Sequence, residues 1–220
     1  GEVALEYGVT REMQDAWALR SHRLCAQAYA EGRLRVGEEL MAVEIPQKRG
    51  GPVVIERDES FRETSMEALA KLKPIYGSPT VTAGNAPPIS AGASAVLCMR
   101  RAEAERRGLE PQATVLCAVA TAAPPREIAQ IPAYTIRKAL ERTGMTIDAM
   151  DLIEINEAFA AMPLVSTKIL AEGDEGRWKA LQEKTNVNGG AIAIGHPVGA
   201  SAGRIAMTLA YELRRRGGGI

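Results

Sequence analysis

Residues 151–170 read "DLIEINEAFAAMPLVSTKIL". The first six, short and rich in isoleucine, read as a strand. They lead straight into a helical stretch in which Pro163 should bend or restart the helix. The same succession recurs around them. "ASAVLCM" (93–99) and residues 113–120 are short apolar runs. Their length and flanking Pro and Gly favour strands over buried helix. "AEAERRG" (102–108) reads as a helix closed by Gly108. "IPAYTIRKALERTG" has Pro132 at its start, Gly144 past its end, and Ala133, Ile136 and Leu140 on one face. A long helix follows Pro197, with Arg214, Arg215 and Arg216 in its last turn and Gly217 as cap. Strands alternating with helices after residue 90 predict a layered α/β core.

The first 80 residues differ. Thr10 can cap a helix running from Arg11 to Gly32, with Met13, Trp17, Leu24 and Ala28 at helical spacing. Residues 36–46 and 51–58 read as short strands around "QKRGG". Thr64 stands three residues before Glu67, a capping-box pattern that predicts a short helix over 65–72. "YGSPTVTAGNAPPISAG" is loop, and a boundary falls near residue 80.

Composition narrows the function. The chain has 220 residues, 46% hydrophobic and 25% charged, with 27 basic and 27 acidic side chains. That balance gives no electrostatic case for nucleic acid or an anionic membrane. No apolar run approaches the roughly 20 residues of a membrane span, and no leader pattern opens the chain. Cys25, Cys98 and Cys117 form no CxxC, which suggests neither zinc nor a disulfide framework. A reducing, cytoplasmic setting is the expectation. All three cysteines read as core fillers, because none has a helix N-terminus or basic neighbour to activate it. Phosphate-loop and dinucleotide fingerprints are absent, as is a G-x-S-x-G elbow.

Two segments invite chemistry. His196 lies in "NVNGGAIAIGHPVGASAGR" (186–204), between Gly195 and Pro197. Small residues there let another segment or a ligand approach the backbone. Imidazole suits proton transfer near neutral pH. A buried structural histidine in tight packing is the competing reading. Asn156 ends a strand, the usual place for ligand sites in α/β sheets. Its amide can hold a water or polarise a carbonyl, or it can simply cap the next helix. Glu157 reads as a first-turn acid favoured by the helix dipole. His22, beside Arg20 and Arg23, reads as part of a solvated helix face. "EGDEGRWKALQEKT" reads as a surface excursion.

Taken together, "EINEAFAA", "NVNGGAIAIGHPVGASAGRI" and "TVTAGNA" resemble blocks of the thiolases of acetyl-CoA acetyltransferase type. "YGVTREMQDAWALRSH" and "LAKLKP" extend the likeness over nearly the whole chain, in the same order. The resemblance implies a thiolase-type α/β fold in three parts. These are a partial loop domain (1–79), the end of the N-terminal core (80–110) and a C-terminal core truncated at its end (111–220). It implies acyl transfer between an enzyme cysteine and coenzyme A, by Claisen condensation or thiolysis of a 3-ketoacyl-CoA. His196 and Asn156 would form the oxyanion hole, Asn156 through a water. Arg62, Leu72, Tyr76 and Ala83 match positions that contact CoA, and Ala158 and Phe159 would line the pantetheine tunnel. CoA enters as substrate; no cofactor or metal is implied. Both of the family's catalytic cysteines would lie outside residues 1–220. Pro87, Pro88 and Ala91 depart from the family pattern in the CoA-side loop. The implied partner is a further copy of the chain or an N-terminal thiolase portion. The alternatives are a non-catalytic CoA-binding or scaffold subunit and an inactive truncated fragment.

Overall fold

The structure, a computed structural model, describes residues 1–220. It is helix-rich. After a short α1 (Glu2–Glu6), α2 (Arg11–Ala30) begins where the Thr10 hydroxyl accepts from Met13 N at 3.3 Å. The buried face of α2 carries Gln14, Trp17, Ala18, Ser21, His22, Cys25 and Ala28, while Met13 is exposed. Three of these seven, Gln14, Ser21 and His22, are polar. They turn inward because other segments supply their hydrogen bonds, and only then is burial of a polar group tolerable. His22 is therefore not on a solvated face. It is buried, and its Nδ1 accepts from Arg62 N at 3.4 Å. Burial, with the Arg62 charge behind it, pushes its pKa down to about 4.

The ribbon of β1 (Val43–Ile45) and β2 (Val53–Ile55) is antiparallel, with Glu44 opposite Val54. It is shorter than the expected strands, because Pro46 and Pro52 at its ends have no N–H to extend the ladder. The helix α3 (Met66–Ala70) is capped by Ser65, whose hydroxyl accepts from Ala68 N at 3.2 Å, and not by Thr64. No helix or strand occurs from residue 71 to residue 100, where the sequence predicts a loop to about residue 92.

Six further helices follow. They are α4 (Arg101–Arg106), α5 (Ile131–Thr143), α6 (Ala161–Ala171), α7 (Glu175–Glu183), α8 (Ala191–Ile194) and α9 (Val198–Arg215). Pro163 is the third residue of α6, in the first turn, where its missing N–H costs nothing. The expected surface excursion is in fact α7. Trp178 and Leu181 are buried against α6, and the Trp178 indole donates to Leu164 O and Thr167 Oγ1. Past α9, Gly217 N bonds Arg214 O and Gly218 N bonds Leu213 O, a Schellman closure. A cluster of 21 buried residues joins α2, α5, α6 and α7. No helix is long and apolar enough to cross a membrane.

The strands expected at 93–99, 113–120 and 151–156 form no sheet. Residues 117–123 alternate between half-buried and exposed, the period of a strand. Yet the carbonyls of Ala118 and Ala120 bond to Arg142 and Lys138 of α5 and not to a neighbouring strand. Leu97 is 82% exposed and Val115 75%. A ladder needs a second strand, and within these residues none lies alongside. Only Ile153 makes a bridge, parallel, to Thr185.

Candidate active site

That single bridge builds one side of the site. Ile153 N donates to Lys184 O at 3.0 Å, and Asn186 N donates to Ile153 O at 2.9 Å. Asn186 then leaves the ladder, with φ at 49°. Its side chain continues the pairing in place of backbone. Asn186 Oδ1 accepts from Ile155 N and Nδ2 donates to Ile155 O, both at 2.8 Å. The other N–H of the same amide reaches Glu157 Oε1 at 3.0 Å. Asn156 is thus held between two pinned neighbours.

Asn156 is not a helix cap, since α6 starts only at Ala161 with Ala160 before it. Glu157 is not a first-turn acid. It is wholly buried, and its two oxygens accept from Trp17 Nε1 (2.8 Å), Ser21 Oγ (2.8 Å), Asn186 Nδ2 (3.0 Å) and Ile192 N (3.1 Å). Ser21 Oγ in turn accepts from Gly190 N at 2.9 Å. A Cβ on Gly190 would stand 2.5 Å from the Glu157 carboxyl carbon, so only glycine fits.

His196 arrives from the other side. α8 ends at Gly195, whose φ of 95° turns the chain back. A Cβ there would sit 2.3 Å from Ser90 Oγ. Ser90 Oγ also accepts from His196 N at 3.2 Å, and Ser94 Oγ donates to Ala200 O at 2.7 Å. The small residues at the start of α9 therefore admit segment 90–94, leaving a groove of about 540 Å³ between Ser90–Ser94 and Pro197–Ala200.

The two half-sites meet. Asn156 Nδ2 lies 3.2 Å from His196 Nε2 and 3.4 Å from Nδ1. Asn156 Oδ1 is buried with no hydrogen-bond partner. His196 Nδ1 lies 2.6 Å from Ser201 Oγ, which is also 3.1 Å from Pro197 O. If the Ser201 proton points to Pro197 O, the hydroxyl accepts from Nδ1–H and Nε2 is a base. If it points to Nδ1, Nε2 carries the proton and donates. Partial burial, and then the Arg204 charge, hold the imidazole pKa below its usual value, so it is neutral at pH 7. Two residues before Asn156, burial lifts the Glu154 carboxyl to about 8, against the pull of Arg204.

The other expected contacts divide. Arg62 Nη2 donates to Ala83 O at 3.3 Å, and Leu72 packs close to the neighbouring Gly84. Arg62, Leu72 and Ala83 are therefore brought together. Tyr76 stands apart, 81% exposed on a left-handed turn with φ 56°. Ala158 and Phe159 are half-buried and pack on the main core. Sequence reasoning missed Ser201, Ser90 and the role of Glu157. An acid in the apolar block 152–164 was the available signal for the last. None of the three thiols is a hydrogen-bond partner of His196. Burial pushes Cys25 up to about 12, which makes it inert. No group of three or more His, Cys, Asp or Glu side chains is placed to hold a metal ion.

Several known proteins are similar to this chain in sequence and fold. Acetyl-CoA acetyltransferase of Syntrophomonas wolfei is 44% identical over 212 residues, which are 96% of this chain and 51% of the relative. The crystal structure of Bacillus anthracis acetyl-CoA acetyltransferase superposes with a TM-score of 0.85 at 35% identity, covering 99% of this chain and 53% of that one. Human mitochondrial 3-ketoacyl-CoA thiolase gives 0.83 at 32%, covering 99% and 52%. The chain spans about half the length of the curated relatives it matches. The family model for the thiolase N-terminal domain matches residues 1–102, and that for the thiolase C-terminal domain matches residues 109–220. With both models matched and the fold shared, the chain belongs to the thiolase family.

Proposed function

We propose that this chain supplies the oxyanion-stabilising part of a site that transfers acyl groups between a cysteine and coenzyme A. In the thiolysis direction a cysteine thiolate adds to the 3-keto carbon of a 3-ketoacyl-CoA. The C2–C3 bond then breaks, and its electron pair leaves as the enolate of acetyl-CoA, which takes up a proton. The acyl group passes from the cysteine to the thiol of a second CoA. Negative charge gathers on the thioester oxygen of the enolate. His196 Nε2–H and a water held by Asn156 are the donors for it. The observation that carries this reading is the approach of the Asn156 and His196 side chains to 3.2 Å from segments 40 residues apart, with the imidazole neutral at pH 7. The unpartnered Asn156 Oδ1 is free to accept a hydrogen bond from that water. Arg62, Leu72, Tyr76 and Ala83 contact CoA, with Arg62 nearest its nucleotide, and Ala158 and Phe159 flank the pantetheine arm.

The nucleophile comes from another polypeptide portion, because none of this chain's thiols faces His196. The expected partner is an N-terminal thiolase portion or a further copy of the chain. The test is acetoacetyl-CoA thiolysis. The pure chain should show negligible turnover, while CoA should still bind and binding should weaken in Arg62→Ala. Adding the N-terminal half of a thiolase relative should restore turnover. Replacing His196 or Asn156 by Ala should then cost roughly 10²–10³ in kcat. Substantial turnover by the pure chain would overturn the assignment of the nucleophile. The restored activity should also persist further into acid than an ordinary imidazole allows, since the His196 pKa is depressed.

A further inference from the structure

Asn156 and His196 are 40 residues apart and sit on different segments. No sheet joins those segments, since the ladder stops after one bridge. Something else must fix the separation of the two side chains to within a few tenths of an ångström. The only group that touches all the parts involved is the Glu157 carboxylate. It directly follows Asn156. One oxygen takes Trp17 of α2 and Asn186, the group that pins Ile155. The other takes Ser21 of α2 and the N–H of Ile192 in α8, whose last turn runs through Gly195 into His196. Ser21 closes the ring by accepting from Gly190 N.

We infer that Glu157 is a positioning residue, setting the spacing of Asn156 and His196 by clamping both their segments to α2. It touches neither reacting atoms nor CoA. Its role rests on the reading of Asn156 and His196 as the working pair. The clamp explains features that otherwise stand alone. Four donors converge on one buried acid, so no contact is wasted. The Trp17 N–H and the Ser21 hydroxyl can be buried on α2 because this carboxylate accepts from both. Gly190 has no side chain because the carboxylate occupies that space. Arg20 braces the same region, donating to Gln182 O and Thr185 O while lying 4.6 Å over the Trp17 ring.

The test reads the imidazole directly. With two histidines in the chain, ¹⁵N-histidine spectra give the tautomer and titration of each ring, and His196→Asn assigns them. In Glu157→Gln one carboxylate oxygen becomes an NH₂ group that faces donors. The clamp should loosen and admit water to the imidazole. The His196 midpoint should rise toward its usual value. The ring shifts should also move toward an average of the two tautomers. Ser21→Ala, a smaller truncation, should move both signals in the same direction and decides the matter if Glu157→Gln does not fold. Thr167→Val, a buried change at the α6–α7 contact, serves as the structural control and should leave His196 unmoved. Unchanged His196 signals in the folded clamp variants, or equal movement in the control, would overturn the inference. Because the spectra need no turnover, failure of the acyl-transfer reading would appear separately, in the thiolysis assay.

Discussion

Two regions of this molecule solve the same problem in opposite ways. Around Asn186 and Glu157 the Ile155 backbone and the Glu157 carboxylate find their partners inside the chain, mostly through side chains. Segments 89–99 and 112–123 carry more apolar residues, yet stay unpaired and exposed. The contrast shows what a strand requires. Apolar character sets which face a strand buries, but the ladder itself needs a second extended segment. A side chain of the right shape can supply one rung where backbone does not.

The comparison breaks most readily at Asn186. Asn186→Ala leaves Ile155 N–H and C=O unpaired in a buried setting and strips a donor from Glu157. The expected loss is about 3–5 kcal/mol, read from chemical denaturation of the chain. A loss below about 1 kcal/mol would mean that the polar region is not what holds its segments together.

A smaller effect is expected from pH. Glu154 has a folded pKa near 8, above its unfolded value, so the folded state holds a proton that the unfolded state has released. Stability from this group is complete at acid pH and falls as pH rises from about 4.5 to 8. His22 works the other way, losing stability as pH drops from 6.5 to about 4. Between pH 6.5 and 8 the Glu154 slope stands without that of His22. Glu154→Gln should flatten it, as seen in denaturation midpoints taken across that window. A slope that survives the substitution would assign it to another group.

The smallest effect belongs to the unpaired segments. Leu97→Lys, at a side chain 82% exposed, should change the stability of the isolated chain by no more than about 0.5 kcal/mol. The same change should weaken association with whatever polypeptide pairs with that segment, visible in sedimentation. A large loss of stability in the monomer would show that Leu97 is already buried by its own chain.

Much of the fold was legible because caps and periodicity are local. Thr10, Pro132 and Gly144 mark helix ends that sequence reasoning located to within a few residues. Three kinds of feature were not legible. The buried side of α2 mixes Gln14, Ser21 and His22 with Trp17, Cys25 and Ala28, so reading an apolar stripe alone sends His22 to solvent. The helix α7 carries only Trp178 and Leu181 inward, too few to distinguish it from a surface excursion. The strands could be read as apolar runs, but pairing is a property of two segments and one run does not contain it. At the site, His196 and Asn156 stood out by block resemblance. Ser201 and Glu157 did not, because a serine inside a helix and an acid after a strand have ordinary explanations that only three-dimensional contacts remove.

The Ser201 hydroxyl carries one further consequence. It sits within reach of both His196 Nδ1 and Pro197 O. Rotation about its single C–O bond therefore favours the tautomer with a lone pair on Nε2 or the one with a proton there, the ring proton itself exchanging between the nitrogens. Such rotations belong to the picosecond-to-nanosecond range, whereas lids and domains move over microseconds to milliseconds. The imidazole can thus pass from one proton-handling duty to the other with every backbone atom at rest, once the ring has exchanged its proton between the two nitrogens through solvent or substrate.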